Sequence, residues 1–373
     1  MKSLVLLLSV LACPACLQPS SGGAGTGYLA PVGDAVGSGG DVTPTGADSS
    51  VAAETAGKDA GKADAAKPDA SVAAVSAATN PNCIDGQYSE ALPDPKGDIA
   101  SLKASYSPAA SSTFVIDVLN KRYPFGGALV QLGMKKQDCL AMFLSGTNKQ
   151  TAKGALSMLS TLVHECGHIA DLNQPPSTYR MQDSLKFTCA GASHFGSNQG
   201  FARSLLQKDD YAKLRPACPT KGPNGCDNYA SIYLDGDAKD GKFQGGDQAF
   251  SSVMEETTQY VNSLVTEYAF ADQTSFTTSA QDGILTFLWY TERYLHMARL
   301  QFPDVHKYIL SQQCWRQMLM TVWGRAWFYL ELTKGNSKLT IDGAKILPLV
   351  MDPELLAEID LVRQAEGCTA GSP

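Results

Sequence analysis

The sequence predicts an α+β fold that is predominantly helical, with a small sheet and a helical C-terminal part. Three observations lead there. Long stretches repeat apolar residues at three-and-four spacing, one short region alternates with a period of two, and the aromatic-rich stretch after residue 280 is helical in pattern. Not all of the 373 residues belong to that fold. Residues 18–80 are rich in Gly, Ala, Ser, Asp, Thr and Val, with one Leu (Leu29), one aromatic (Tyr28) and no Arg, Cys, His or Ile. Such a segment buries too little apolar surface to offset the entropy of ordering it, so a disordered linker is expected. From about Cys83 the composition changes to Tyr, Phe, Trp, Leu and Met, and residues 81–373 can bury a substantial core.

The elements follow in order. At residues 1–12, Lys2 precedes an apolar run over 4–11 that is too short to span a membrane and sized like a signal-peptide core. Its end, Val10-Leu11-Ala12-Cys13, resembles the lipobox of bacterial lipoproteins. That resemblance makes Cys13 the lipidated first residue of the mature chain, with 13–80 a lipid-anchored linker; the alternative is ordinary cleavage near Ala12 or Ala15. Pro14 stands where an Asp would signal inner-membrane retention, so the implied location is the outer membrane or cell surface.

Residues 152–172 place Leu156, Leu159, Val163, Cys166 and Ala170 on one helical stripe, ended by Pro175 and Pro176. Residues 179–182 and 185–188 alternate around Asp183-Ser184 and predict a hairpin. The acidic stretch 233–241 lacks the ligand order of a calcium loop and reads as a polar turn. Residues 248–270 carry Phe250, Met254, Thr257, Val261, Leu264 and Tyr268 at helical spacing. Two more long helices are expected over 282–300 and 304–332, separated by Pro303, with Trp315, Trp323 and Trp327 of the second read as core. Eight of the ten cysteines lie after residue 80, an even set that predicts disulfides in an exported chain; only Cys218 with Cys226, across a Pro- and Gly-rich loop, is a local pairing.

Composition narrows the function. A net charge of −7 with 18% charged residues argues against nucleic-acid binding, which needs clustered Lys and Arg. The most apolar late segment, 314–330, is interrupted by Arg316, Gln317 and Arg325 and is not a membrane span. One motif carries chemistry. His164-Glu165-Cys166-Gly167-His168 fits HExxH and falls inside a helical pattern. Residues four apart on a helix sit about 40° apart around the axis and one turn along it, so both imidazoles reach one tetrahedral Zn²⁺. Glu165, about 100° from His164, can hold a water without being a ligand, and Cys166, near 200°, faces the core.

With these residues the chain resembles the zincin metallopeptidases, whose active-site helix carries HExxH, and a zincin-like catalytic domain is the implied fold. The metzincin subgroup is excluded because Asp171 and Gln174 occupy its Gly and third-His positions. Gluzincins take a Glu from a separate downstream helix, and Glu255 and Glu256 are the pair on which that resemblance rests. Glu256 lies at the edge of the apolar stripe, where a carboxylate needs a cation, while Glu255 aligns with Ser251, Gln259 and Asn262 on a face expected to be wet; Glu256 is therefore favoured as third ligand. Asp171, one turn past His168, could orient that imidazole or be a surface acid. His194, in a Gly-rich loop, could be a ligand or a transition-state donor, or simply a polar loop residue. Tyr260, one turn from Glu256, could donate to an oxyanion or pack. Glu292 and His296 read as a solvated pair.

The implied activity is hydrolysis of peptide bonds in a protein or peptide by a zinc-activated water, with Glu165 as general base. The rival expectation is a surface-displayed binding lipoprotein whose metal is structural or lost.

Overall fold

Where the chain supplies a start signal, a helix begins. Asp138 and Thr151 accept hydrogen bonds from the amides of Ala141 and Gly154, Asp352 accepts from Glu354, and Pro124, Pro303 and Pro353 occupy first-turn positions. The computed structural model describes residues 88–172, 178–192, 199–214, 229–236, 245–274 and 277–368. The signal segment, the linker, Pro175, Pro176, His194, the Cys218 and Cys226 pair and most of the acidic turn after Gly236 lie outside the described residues.

In chain order the helices are α1 (Ala100–Ala104), α2 (Ser111–Arg122), α3 (Pro124–Lys136), α4 (Cys139–Phe143), α5 (Ala152–Ser157) and α6 (Leu159–Leu172). The expected hairpin follows: β1 (Thr178–Arg180) pairs antiparallel with β2 (Lys186–Thr188), Tyr179 opposite Phe187. Then come α7 (Ala230–Tyr233), α8 (Phe250–Phe270), α9 (Ala280–Gln301), α10 (Pro303–Ser311), α11 (Gln313–Leu332), α12 (Gly343–Val350) and α13 (Pro353–Ala365). The fold is predominantly helical with this one small sheet among the described residues.

Helices stack outward from two central ones. α6 packs between α3 and α8, α8 packs between α6 and α9 and also meets α11, and α9 is covered by α10, α12 and α13. One hydrophobic cluster runs through all of them, from Ile99 to Cys368. Its largest fully buried side chains include Trp289, Trp315 and Trp323, and each buried large apolar side chain contributes about 1.5–3 kcal/mol. The close approach of α3 to α6 depends on Gly133, where a Cβ would stand 2.5 Å from the Cys166 carbonyl oxygen. The Cys139–Cys166 disulfide fixes the same face of α6, and Cys189–Cys314 ties the hairpin to α11. Both imply an oxidising compartment. Among the described residues no helix is long and apolar enough to cross a membrane.

Two expected helices are each broken by one residue. Residues 152–172 form α5 and α6 because the Met158 amide bonds back three residues to Ala155 (3.2 Å) while its carbonyl already accepts from Leu162 (2.8 Å). The apolar stripe crosses the break, since Leu156, Leu159, Val163 and Cys166 are all buried. Residues 304–332 divide into α10 and α11 at Gln312, which is extended (φ −92°, ψ 110°). Arg316 takes the freed Leu310 carbonyl (2.6 Å), and the disulfide at Cys314 holds the new helix start. Gln312 itself carries no breaker signal.

The face of α8 expected to be wet is buried. Gln259, Asn262 and Thr266 are covered along with Glu255, because α6, α9 and α11 surround the helix. Thr257, Thr258 and Thr266 satisfy their hydroxyls on carbonyls four residues back.

Candidate metal centre

Two helix faces meet at the centre of the molecule. α6 presents His164 and His168 one turn apart, and α8 presents Glu256, Tyr260 and Ser263 at three-and-four spacing. Both imidazoles and the Glu256 carboxylate are buried. Glu256 Oε2 lies 3.5 Å from His164 Nε2 and 3.5 Å from His168 Nε2. The three ligand atoms all fall within 4.8 Å of one another, the one such His, Cys, Asp or Glu group among the described residues.

These spacings can be tested against an ion. Ligand atoms about 2.0–2.1 Å from a tetrahedral zinc stand about 3.3–3.4 Å apart, close to the separations here. The carboxylate oxygen that faces both rings has no hydrogen-bond partner, although a buried polar atom left unsatisfied costs about 1–3 kcal/mol. A cation between the three atoms removes that cost. The nitrogen and oxygen donor set suits zinc, and the residues fit the ion.

The outer ring nitrogens are held from behind. His164 Nδ1 meets Ser263 Oγ at 3.1 Å, and His168 Nδ1 donates to Glu255 Oε2 in a short contact. Burial disfavours the charged imidazole of His168, but Glu255 and Glu256 outweigh it and push its pKa well above the ordinary value. The Glu256 carboxyl is pushed below its usual range, burial being outweighed by His168 and His164.

Glu255 therefore does not take the ligand position left open to it; a helix rotation of about 100° per residue turns it to the far side of His168. Asp171 does not orient that imidazole either. It is buried, accepts from Arg180 and from Gln259 Nε2 (3.0 Å), and has its pKa raised to about 7 by burial and by Glu255, with Arg180 opposing. Glu165 stays outside the ligand group and is half-buried. Its charge reaches Tyr233 and Tyr260, whose pKa values lie well above the usual value, chiefly through burial. The Tyr260 ring stands edge-on to His164 with centroids 4.8 Å apart, and its hydroxyl is 2.9 Å from that of Tyr233.

Glu292 and His296 are not a solvated pair. Both are buried; His296 Nδ1 bonds Glu358 at 3.0 Å, and neither Glu292 oxygen has a hydrogen-bond partner among the described residues. Burial pushes the Glu292 carboxyl well above its usual range. Trp315 and Trp323 are core, as expected, and Trp327 is half-buried.

Sequence reasoning missed Ser263, Tyr233 and the supporting use of Glu255. Ser263 had a signal: it is seven residues after Glu256 and three after Tyr260, one continuous helix face. Tyr233 had none, because α7 is a four-residue helix brought to α8 only by the tertiary fold. Neither a family model, nor a curated protein, nor a solved structure matches the chain.

Proposed function

We propose that this chain is an exported zinc-dependent peptidase acting on proteins or peptides, held to a membrane through a lipid on Cys13. The observation that carries the peptidase reading is the buried Glu256 Oε2, unpartnered and 3.5 Å from both imidazole Nε2 atoms of the HExxH helix. His164, His168 and Glu256 would hold the ion. Zinc bound by three protein ligands supplies Lewis acidity and makes water a nucleophile near neutral pH.

The chain's own groups do the rest. Ser263 and Glu255 fix the two imidazoles so that each Nε2 faces inward. Glu165, one residue along α6 and outside the ligand group, takes a proton from water and returns it to the leaving amine. Tyr260 keeps its phenolic proton at neutral pH, since burial raises its pKa, and with Tyr233 beside it can donate to a developing oxyanion. A half-buried carboxylate on α6, with three ligand atoms and no fourth among the described residues, supports a catalytic over a structural metal.

The test uses the purified protein, with zinc content and peptide hydrolysis as readouts. We expect about one zinc per chain, retained in Glu165→Gln with activity reduced about 10²–10⁴-fold. Glu256→Ala should lose the metal, while Glu255→Ala should bind it about 10–100-fold more weakly. Undiminished cleavage by Glu165→Gln overturns the mechanism, and a wild-type protein that binds no zinc overturns the reading altogether.

A further inference from the structure

The buried polar stripe of α8 continues well past the metal centre. Glu255 Oε1 accepts from Gln259 Nε2 (3.2 Å), Gln259 Oε1 accepts from Asn262 Nδ2 (3.0 Å), and Asn262 Oδ1 accepts from Arg325 Nη1 of α11 (2.7 Å). Every link runs in the same sense, from donor at Arg325 toward acceptor at Glu255. Glu255 in turn receives His168 Nδ1 on its other oxygen.

The sense of this chain is imposed from one end. A guanidinium carries donors only, so the side-chain oxygen of Asn262 must face Arg325. Tyr123 enforces the same choice: its hydroxyl accepts from Arg325 Nη2 (3.1 Å) and donates to Asn262 Oδ1 (3.2 Å). With that amide set, its NH₂ group faces Gln259, the Gln259 oxygen must turn toward it, and the Gln259 NH₂ group is left for Glu255 and Asp171. Reversing either amide would aim acceptor at acceptor inside the core, where an unsatisfied polar group is costly. Glu255 is thereby kept as an acceptor, and His168 must offer it Nδ1–H with Nε2 turned inward.

The fourth position of the motif belongs to the same device. A Cβ at Gly167 would stand 2.0 Å from Gln259 Oε1, so the amide occupies the space a side chain would fill. The HExxH pattern does not require Gly there; the relay does.

We propose that Arg325, Asn262 and Gln259 are positioning residues that fix the hydrogen-bond polarity of Glu255 and, through it, the orientation of His168 for metal. This rests on the metal-centre reading, and its test carries a readout that does not need the metal. Asn262→Asp keeps the oxygen toward Arg325 but offers Gln259 a second oxygen in place of the donor, so Gln259 must turn and withdraw both hydrogens from Glu255 and Asp171. Gly167→Ala strikes the same amide from α6 and serves if the Asp variant does not fold. Tyr329→Phe is the control, because it keeps the ring beside Arg325 and removes only a hydroxyl that bonds Glu90 and no member of the relay.

We expect zinc affinity, measured by chelator competition on the full chain, to fall tenfold or more in Asn262→Asp or Gly167→Ala and to stay within about twofold in Tyr329→Phe. In the metal-free protein the low-field proton resonance of His168 Nδ1–H should be present in the wild type and the control and lost or shifted in the relay variants. Absence of zinc binding by the wild type would count against the peptidase reading while leaving the proton measurement to judge the relay. Wild-type affinity and an unmoved proton signal in the folded relay variants, or equal losses in the control, overturn the proposal.

Discussion

Glu255 and Glu256 are neighbours in sequence with opposite uses, one behind an imidazole and one between two, and the turn of the helix alone separates them. A third carboxylate on α8, Glu267, is a contrasting case, because no cation among the described residues meets it. It is buried, and burial raises its pKa to about 7, with a hydrogen bond from Ser160 opposing. The sign of the linkage follows. Below about pH 4.5 both folded and unfolded chains hold the proton, so Glu267 costs nothing; between about 4.5 and 7 the unfolded chain releases a proton that the folded one keeps, and stability falls as pH rises. Above about pH 7 the full penalty applies, on the order of 3 kcal/mol. Glu267→Gln should therefore match the wild type in urea unfolding near pH 4.5 and exceed it near pH 8. A stability difference that is the same at both pH values would mean that Glu267 does not titrate as its burial implies.

At the scale of elements, α6 works because its two faces are held independently. His164 and His168 face α8, while Cys166, about 200° around the axis from His164, is bonded to Cys139 on the other side. That geometry was legible in the sequence, since HExxH placed on a helix fixes both faces at once. So was the placement of Glu256 beside the two histidines, but partly through a faulty premise. The polar stripe Glu255, Gln259, Asn262 and Thr266 reads as a wet face by composition alone, and nothing local reveals that α6, α9 and α11 enclose it. The break at Gln312 was illegible for a like reason: the partner of Cys314 at the start of α11 is Cys189, 125 residues earlier in the chain, and no residue at the break itself marks it. The Cys139–Cys166 crosslink closes a sequence separation of 27 residues, for which loop entropy gives about 3–4 kcal/mol. The double variant Cys139→Ala/Cys166→Ala should lose about that much stability in urea while retaining its zinc at 25 °C, because the bond lies on the side of α6 away from the ligands. Zinc loss from a variant still fully helical by circular dichroism would show that the disulfide shapes the metal centre itself.

Across the whole molecule, the described chain begins in a fastened state. Tyr88 and Glu90 precede the first helix, and Glu90 accepts from Arg325 Nε at 2.8 Å and from the hydroxyls of Tyr88 and Tyr329. Arg325 is fully buried, and leaving such a charge without its carboxylate costs about 3–5 kcal/mol, so the fold grips the chain at Glu90 close to where the Gly-, Ala- and Ser-rich segment 18–80 ends. The proposed anchor at Cys13 and the proposed catalysis near His164 should be separable. Cys13→Ser, expressed in a host that processes lipoproteins, should move the protein from the membrane fraction to the soluble fraction, since a lipid chain contributes about 0.8 kcal/mol per buried CH₂ and no helix among the described residues can span a bilayer in its place. Zinc content and hydrolysis of a small peptide should be unchanged in the released protein. Membrane association that persists in Cys13→Ser would remove Cys13 from the anchoring role and direct attention to contacts made by the folded domain.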